Sequence, residues 1–337
     1  IMIDLKRIAL FLAALFLVVS CQNEPKKSAT EIAQTIPARL DSLNQQIVSS
    51  PNNAALYNER AIYFFSQKDL SAASKDILQA ITIDSNNSNF YVTLSDIFFA
   101  SGKSSQSKRS LEKSLLLDPN NKEALMRMAE LYLYVKDNKK SIEYLDKVLK
   151  QDINFPKAYF IKGMNFKEMG DTAKAISSFQ TTIEQDPQYY NAFIQLGLLY
   201  EVKRNPLAID YYNNALRIDP KSTEAMYNMG MFYQENNQLN KAIETYTAML
   251  KMDPQNKFAN YNLGYIHYEY LKVFRIAAQH FTNAINCDSN YAEAVYMRGL
   301  CYEAMGDVGA AAKDYNKSLV LAPAYELPLL GLKRLGK

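Results

Sequence analysis

The 337-residue chain has no tryptophan, three cysteines, two histidines and eleven glycines. Three cysteines cannot build a disulfide framework, and two histidines leave little for a metal or acid–base site. So few glycines exclude glycine-rich cofactor loops and a turn-dense β fold. An excess of one charge is missing too: 38 Lys and Arg face 35 Asp and Glu, a net charge of +3. That balance does not fit a surface built on phosphate contacts, so no nucleic-acid partner is expected. No GxGxxG, Walker, HExxH or GxSxG pattern occurs, and the numerous acids read as solvated helix faces. The expectation is a protein without catalysis, cofactor or metal. What is present is apolar: 48% of residues, with 24 Tyr and 16 Phe, enough for a folded chain.

The N-terminus carries an address. Lys6-Arg7 precedes the apolar run Ile8–Val19 and the small residue Ser20, the layout of a secretory signal. Twelve apolar residues are fewer than the roughly 20 a membrane-spanning helix needs. Val18-Val19-Ser20-Cys21 resembles a bacterial lipobox, in which the Cys21 thiol takes a diacylglycerol and becomes the mature N-terminus. The alternative is an ordinary signal in which Cys21 is incidental. The lipobox implies a signal peptide at 1–20, a lipid anchor at Cys21 and a polar tether over 21–37. Gln22 instead of Asp favours the outer membrane, on an unspecified face, and Ile1 before Met2 leaves the true start open.

Length suggests two domains, but one unit recurs along the chain. Asp84, Asp118, Asp152, Asp186, Asp219, Asp253 and Asp288 stand 33–35 residues apart. Each period holds two helical patterns. The first carries a small residue at Ala61, Ser95, Ala129, Gly163, Gly197, Gly230, Gly264 or Gly299, with a ring three positions on. The second carries a small residue at Ala73, Ser107, Ser141, Ala175, Ala208, Ala242, Ala277 or Ala311, with a bulky apolar residue four positions on. Gly102, Gly170, Gly306 and Asn237 sit where a helix end needs a left-handed residue. Asn205-Pro206 suits the opening of a second helix in the fifth unit, which is one residue short.

This pattern resembles the tetratricopeptide repeat over about Ala54 to Pro323, with its usual tryptophan replaced in every unit and Asn260 the one polar substitute. The resemblance implies an all-α solenoid, a right-handed superhelix of about eight helix-turn-helix repeats over 54–323. Residues 38–53, with Leu40, Leu43 and Ile47 on one face, are expected to cap the start. Residues 324–337 are expected to form a polar-backed closing helix that turns Leu329, Leu332 and Leu335 inward.

In that family the first helices line a concave groove. On the groove stripe stand Phe65, Phe99, Phe160, Tyr227, Tyr261, Tyr265, Tyr268 and Tyr296, too aromatic for a solvated face. They imply a protein or peptide ligand, and an adaptor or scaffold for an envelope complex. A glycan stacked on the Tyr faces is the alternative, and a stripe buried by tight coiling is the bland one. The carboxylate-clamp variant of the family is not expected, because the matching places are mostly apolar. Three smaller questions stay open. Cys287 and Cys301, on adjacent helices, read as small buried residues or as a pair. Phe274, in the apolar turn Leu271–Arg275 of the long seventh unit, is a contact tip or folds back. His267 and His280 read as packing and surface residues.

Overall fold

The computed structural model describes residues 29–336, with side-chain surroundings from residue 38 onward. Among these residues the chain is helical throughout, with eighteen helices and no strand. Helix α1 spans Ala29–Ser49, and eight antiparallel pairs follow. They are α2 (Ala54–Ser66) with α3 (Leu70–Ile83), α4 (Ser88–Ala100) with α5 (Ser104–Leu117), and α6 (Lys122–Tyr134) with α7 (Asn138–Gln151). Next come α8 (Pro156–Glu168) with α9 (Thr172–Gln185), and α10 (Tyr190–Val202) with α11 (Leu207–Ile218). The last pairs are α12 (Thr223–Glu235) with α13 (Leu239–Met252), α14 (Lys257–Glu269) with α15 (Phe274–Cys287), and α16 (Ala292–Ala304) with α17 (Val308–Leu321). A short α18 (Leu327–Arg334) closes the array. Contacts divide the chain between Arg127 and Met128, giving an N-terminal unit and a C-terminal unit.

The aspartate ladder has a local cause. Each Asp ends a second helix and folds its carboxylate onto the backbone two residues on. Asp84 accepts from the Asn86 N–H at 2.9 Å, Asp186 from Gln188 at 2.9 Å and Asp288 from Asn290 at 3.0 Å. The same bond recurs at Asp118, Asp152, Asp219 and Asp253. These Asx turns stop one repeat and aim the next.

Packing inside each repeat follows a rule that the small positions and the rings obey together. Where the second helix presents an aromatic ring, the facing small residue is glycine: Gly163 with Phe179, Gly197 with Tyr212, Gly230 with Tyr246, Gly264 with Phe281, Gly299 with Tyr315. A Cβ at Gly163 would lie 2.5 Å from the Phe179 ring, and one at Gly264 would lie 2.9 Å from Phe281. In the first three repeats the second helix presents aliphatic Ile77, Leu111 and Leu145, and Ala61, Ser95 and Ala129 stand opposite, all buried. Hydroxyls extend the rule. The buried phenol of Tyr212 donates to Glu201 and that of Tyr315 to Glu303, whereas Tyr246 has Gln234 at the same register but makes no hydrogen bond to it. Where the bulky residue has no hydroxyl, that register holds no Glu or Gln.

Two repeats add a buried ion pair at one register. Arg60 donates to Asp76 through Nε at 2.6 Å and through Nη2 at 2.8 Å, and its Nη1 reaches Asn44 in α1 at 2.7 Å. Arg298 repeats this with Asp314 at 2.7 and 2.8 Å, and with Thr282 of the preceding repeat at 3.2 Å. Asn44 thus stands where a preceding second helix would supply a partner. The Asn260 side chain, although buried, donates to the Asn256 carbonyl at 3.2 Å, which resolves its polarity within its own helix.

Both ends differ from expectation. Helix α1 begins at Ala29, inside the stretch 21–37 expected to be a polar tether. Leu43 and Ile47 pack on Leu56 and Tyr63. At the other end α18 is not polar-backed. It turns Leu332 inward and sets Gly331 against the Tyr315 ring, where a Cβ would come to 2.5 Å. Leu329 therefore faces outward with Leu327 and Leu330, each 45–48% exposed. Cys21 and the expected signal peptide lie outside the described residues. No described helix is long and apolar enough to cross a membrane.

Ring stacking also repeats. Tyr132 stacks on Tyr144 at 5.6 Å and Tyr200 on Tyr211 at 5.3 Å. At the matching place in the seventh repeat His267 stacks on His280 at 5.3 Å. Burial, with His267 alongside, pushes His280 down to about 4 from an ordinary 6.5. Unfolded chain then binds a proton that folded chain refuses, so stability falls as pH drops from 6.5 to about 4. The double change His267→Tyr/His280→Tyr, which restores the Tyr–Tyr stack, should hold its melting temperature better than the parent across that window. Parallel slopes for the two proteins would contradict the assignment.

Candidate binding surface

The first helices carry the stripe on which the sequence leads one to expect an extended ligand. Its charged members are engaged within the fold. In the C-terminal unit Lys157 pairs with Glu130 at 2.7 Å, and Arg334 grips Glu303 through two bonds of 2.9 Å. Arg334 holds the Glu303 carboxyl below the usual carboxylate range. Lys167 donates to Gln195 Oε1 at 2.7 Å, and burial lowers its ammonium pKa. In the N-terminal unit Arg127 donates to Asp96 at 2.8 Å. What the stripe has left to offer is largely its rings.

Those rings divide by burial. Phe160 and Tyr296 are 6% and 8% exposed, so they are core residues and offer a ligand almost no area. Phe160 lies against Phe179 at 5.5 Å and Tyr189 at 5.0 Å, and Tyr296 against Tyr315 at 5.6 Å and Tyr325 at 5.4 Å. Phe65 and Phe99, in the N-terminal unit, are half-buried, and Phe65 packs on the core around Ala61, Ile77 and Phe90. In the C-terminal unit Tyr227, Tyr261, Tyr265 and Tyr268 are half-buried. Tyr261, Tyr265 and Tyr268 share one cluster with Tyr296, while Tyr227 packs on the neighbouring cluster around Tyr246 and meets Phe258 at 6.0 Å.

Each tyrosine is braced. Tyr261 stacks on Tyr291 at 5.2 Å and presents an edge to Phe281 at 5.5 Å. Tyr265 meets Tyr270 at 6.2 Å and Tyr268 meets Phe274 at 5.6 Å. Phe274 thus folds back, while Leu271 and Val273 of the same turn stay 43% and 40% exposed. Desolvation raises the phenol pKa of Tyr261, Tyr265 and Tyr268, so all three stay protonated donors at neutral pH. Braced rings with a hydroxyl tip give contact area at low entropic cost.

The braces were missed by sequence reasoning, although a signal exists. The residue just before a first helix is either a polar cap or a ring. Asn53, Asn87, Ser222 and Asn256 cap through their side chains, whereas Tyr189 and Tyr291 make no cap bond. The two tyrosines instead lie against Phe160 and Tyr261 of the repeat before, so the cap is exchanged for a ring contact. Lys257 adds a cation over Phe258 and Tyr291 at 5.2 and 5.4 Å and an ion pair to Asp288 at 2.6 Å.

Cys287 and Cys301 are free thiols, and burial pushes Cys301 up to about 12, far from reactive. Among the described residues no group of three or more His, Cys, Asp or Glu is placed to hold a metal ion.

Residues 102–264 match a family described as Psidin, N-terminal TPR repeats region, and residues 292–325 match the tetratricopeptide repeat. Among solved structures, a tetratricopeptide repeat protein from Parabacteroides merdae is 16% identical with a TM-score of 0.52, covering 74% of this chain and 99% of its own. The Pseudomonas aeruginosa pilF protein is 14% identical with a TM-score of 0.55, covering 61% of this chain and 95% of its own. At such identities the likeness is one of fold. No curated protein matches the chain. With the glycine–ring pairs, the Asx turns and two repeat matches that together span more than half of its residues, the chain belongs to the tetratricopeptide-repeat proteins.

Proposed function

We propose that the chain is a non-catalytic, lipid-anchored adaptor of a bacterial envelope that binds a protein or peptide along the first helices of its C-terminal unit. The observation that carries this reading is the braced row Tyr227, Tyr261, Tyr265 and Tyr268, on a stripe whose charges are engaged internally. A tetratricopeptide scaffold supports protein interaction in general. The aromatic row adds that recognition rests on ring area and phenol hydrogen bonds, not on clamping a carboxylate. Lys6-Arg7, the run Ile8–Val19 and Cys21 support export and acylation, with the outer membrane as the favoured site.

Affinity capture from solubilised membranes tests both halves. Tyr265→Ala/Tyr268→Ala should cut recovery of the bound protein by about tenfold or more, the loss expected when a pair of interface rings goes. Unchanged recovery rejects the stripe, and binding that moves with the same rings to polysaccharide alone rejects the protein ligand. In intact membranes, before solubilisation, Cys21→Ala should leave the protein unacylated and release it on washing. Firm attachment without acylation rejects the anchor.

A further inference from the structure

Each first helix carries a ring three residues after its small position, and every repeat but one lays a further group over that ring. In the third, fifth and seventh repeats the cover is a second ring: Tyr144 on Tyr132, Tyr211 on Tyr200 and His280 on His267, with centroids 5.6, 5.3 and 5.3 Å apart. In the fourth and sixth it is an ammonium, Lys174 over Phe166 at 5.4 Å and Lys241 over Tyr233 at 5.3 Å. In the first and eighth it is the guanidinium of the ion pair, Arg60 over Phe64 at 6.0 Å and Arg298 over Tyr302 at 5.9 Å. The second repeat has none of these. Ser110 stands where the third repeat has Tyr144, Gln106 where it has Lys140, and Leu94 where the first has Arg60. Phe98 packs on the core around Ala80, Phe90 and Ile97, and among the described residues neither a ring nor a cation covers it.

What remains at that place is an open-sided slot of about 230 Å³ between α4 and α5. Tyr91, Leu94 and Phe98 line it from α4, and Gln106, Arg109, Ser110 and Lys113 from α5. The Tyr91 hydroxyl donates to the Ser85 carbonyl at 3.0 Å, and that of Ser110 to the Gln106 carbonyl at 3.0 Å, which leaves the interior apolar. No acid lines the slot, while Arg109 and Lys113 are exposed at its rim and make no ion pair among the described residues. The acids of this repeat are engaged elsewhere, Asp96 with Arg127 at 2.8 Å and Glu112 with Lys108 at 3.4 Å. Asp84 and Asp118, at the ends of α3 and α5, accept from the Asn86 and Asn120 amides. Small-molecule sites enclose roughly 300–1,000 Å³, so this slot suits a single side chain. A cation entering it would be repelled by Arg109 and Lys113. A ring, the cover used in three other repeats, would not, and carboxylates on either side of it would pair with the two cations.

We propose that the uncovered Phe98 is a docking socket for an acidic peptide segment, whose one aromatic side chain completes the second repeat as Tyr144 completes the third, while its carboxylates meet Arg109 and Lys113. The socket belongs to the N-terminal unit and to a different face of α4 from the stripe residue Phe99. It does not rest on the tyrosine row.

The probe is a capped pentapeptide with two glutamates on each side of one tryptophan. Because the chain has no tryptophan, the indole emission comes from the peptide only. On titration with the purified protein it should shift to shorter wavelength and saturate, with a dissociation constant below about 1 mM. The phenylalanine version should displace it and the alanine version should not. A version with lysines for glutamates should bind about tenfold more weakly or worse. Ser110→Tyr, which copies the third repeat, should fill the socket and weaken binding about tenfold or more, with the melting temperature held or raised. Arg109→Glu/Lys113→Glu changes only exposed side chains and should weaken binding to a similar extent, which keeps the test open if Ser110→Tyr folds poorly. Absence of a saturable shift overturns the proposal, as does equal binding of the lysine peptide. So does unchanged affinity in either variant with native circular dichroism. Tyr265→Ala/Tyr268→Ala should bind the peptide like the parent. Loss of binding there would move the peptide to the tyrosine row and overturn the socket, whereas a failed socket with intact capture by that row leaves the adaptor reading standing.

Discussion

Gly163→Ala is expected to destabilise the protein by about 1–3 kcal/mol, although alanine is the better helix former by about 1 kcal/mol. The reason is the 2.5 Å approach of the new Cβ to the Phe179 ring, which is itself fully buried and cannot swing aside. Phe179→Leu alone should also cost about 1–2 kcal/mol through the volume it removes. The informative variant is Gly163→Ala/Phe179→Leu. It copies the Ala129–Leu145 pair already present in the third repeat, so the two costs should not add. A favourable coupling of at least about 1 kcal/mol in a denaturant double-mutant cycle is expected. Additivity within experimental error would show that glycine and ring are not matched.

The second large effect concerns the ion pairs. Asp314 is 4% exposed and receives two bonds from Arg298. Asp314→Ala should therefore cost about 3–5 kcal/mol, because it leaves a guanidinium half-buried without its counter-charge. Removing both charges tells pair strength from desolvation cost. Arg298→Met/Asp314→Leu should recover most of the loss, since an apolar pair of similar volume avoids the penalty of an unmatched ion. Unfolding followed by hydrogen exchange in α16 and α17 resolves the effect locally, because repeat arrays need not unfold as one unit. A double variant no better than Asp314→Ala would assign the pair a larger intrinsic contribution.

Much of this was legible in the residues. The aspartate ladder, the small positions and the rings set eight helix pairs, because a 34-residue period leaves room for little else than two short helices and two turns. Gly102, Gly170, Gly306 and Asn237 were readable as left-handed turns from residue type alone, and all four have positive φ. Lys68, Lys136, Arg204 and Lys272 were not, since nothing in a lysine announces positive φ. At the candidate surface, residue type identified a tyrosine-rich stripe but not its depth. Phe160 and Tyr296 are buried by rings from the following turns, Tyr189 and Tyr325, whose positions a helical wheel does not carry. Leu329 was misplaced for a related reason. Apolar spacing alone gives two candidate faces for a helix of only eight residues, and the contact of Gly331 with Tyr315 selects the other one.

The glycine–ring pairing also constrains how such a chain can be lengthened or shuffled. The glycine, its ring and the acceptor for a ring hydroxyl all lie within one helix pair, Gly299, Tyr315 and Glu303 in the eighth repeat. A genetic crossover in a turn after an Asp moves that set intact, and the new neighbour meets the fewest mismatched cores. A crossover in the turn inside a pair joins the glycine of one repeat to the aliphatic residue of another, or an alanine to a tyrosine. Such hybrids carry a void or a clash at once. Breakpoints beside Asp84, Asp118 and their counterparts therefore leave each matched set whole.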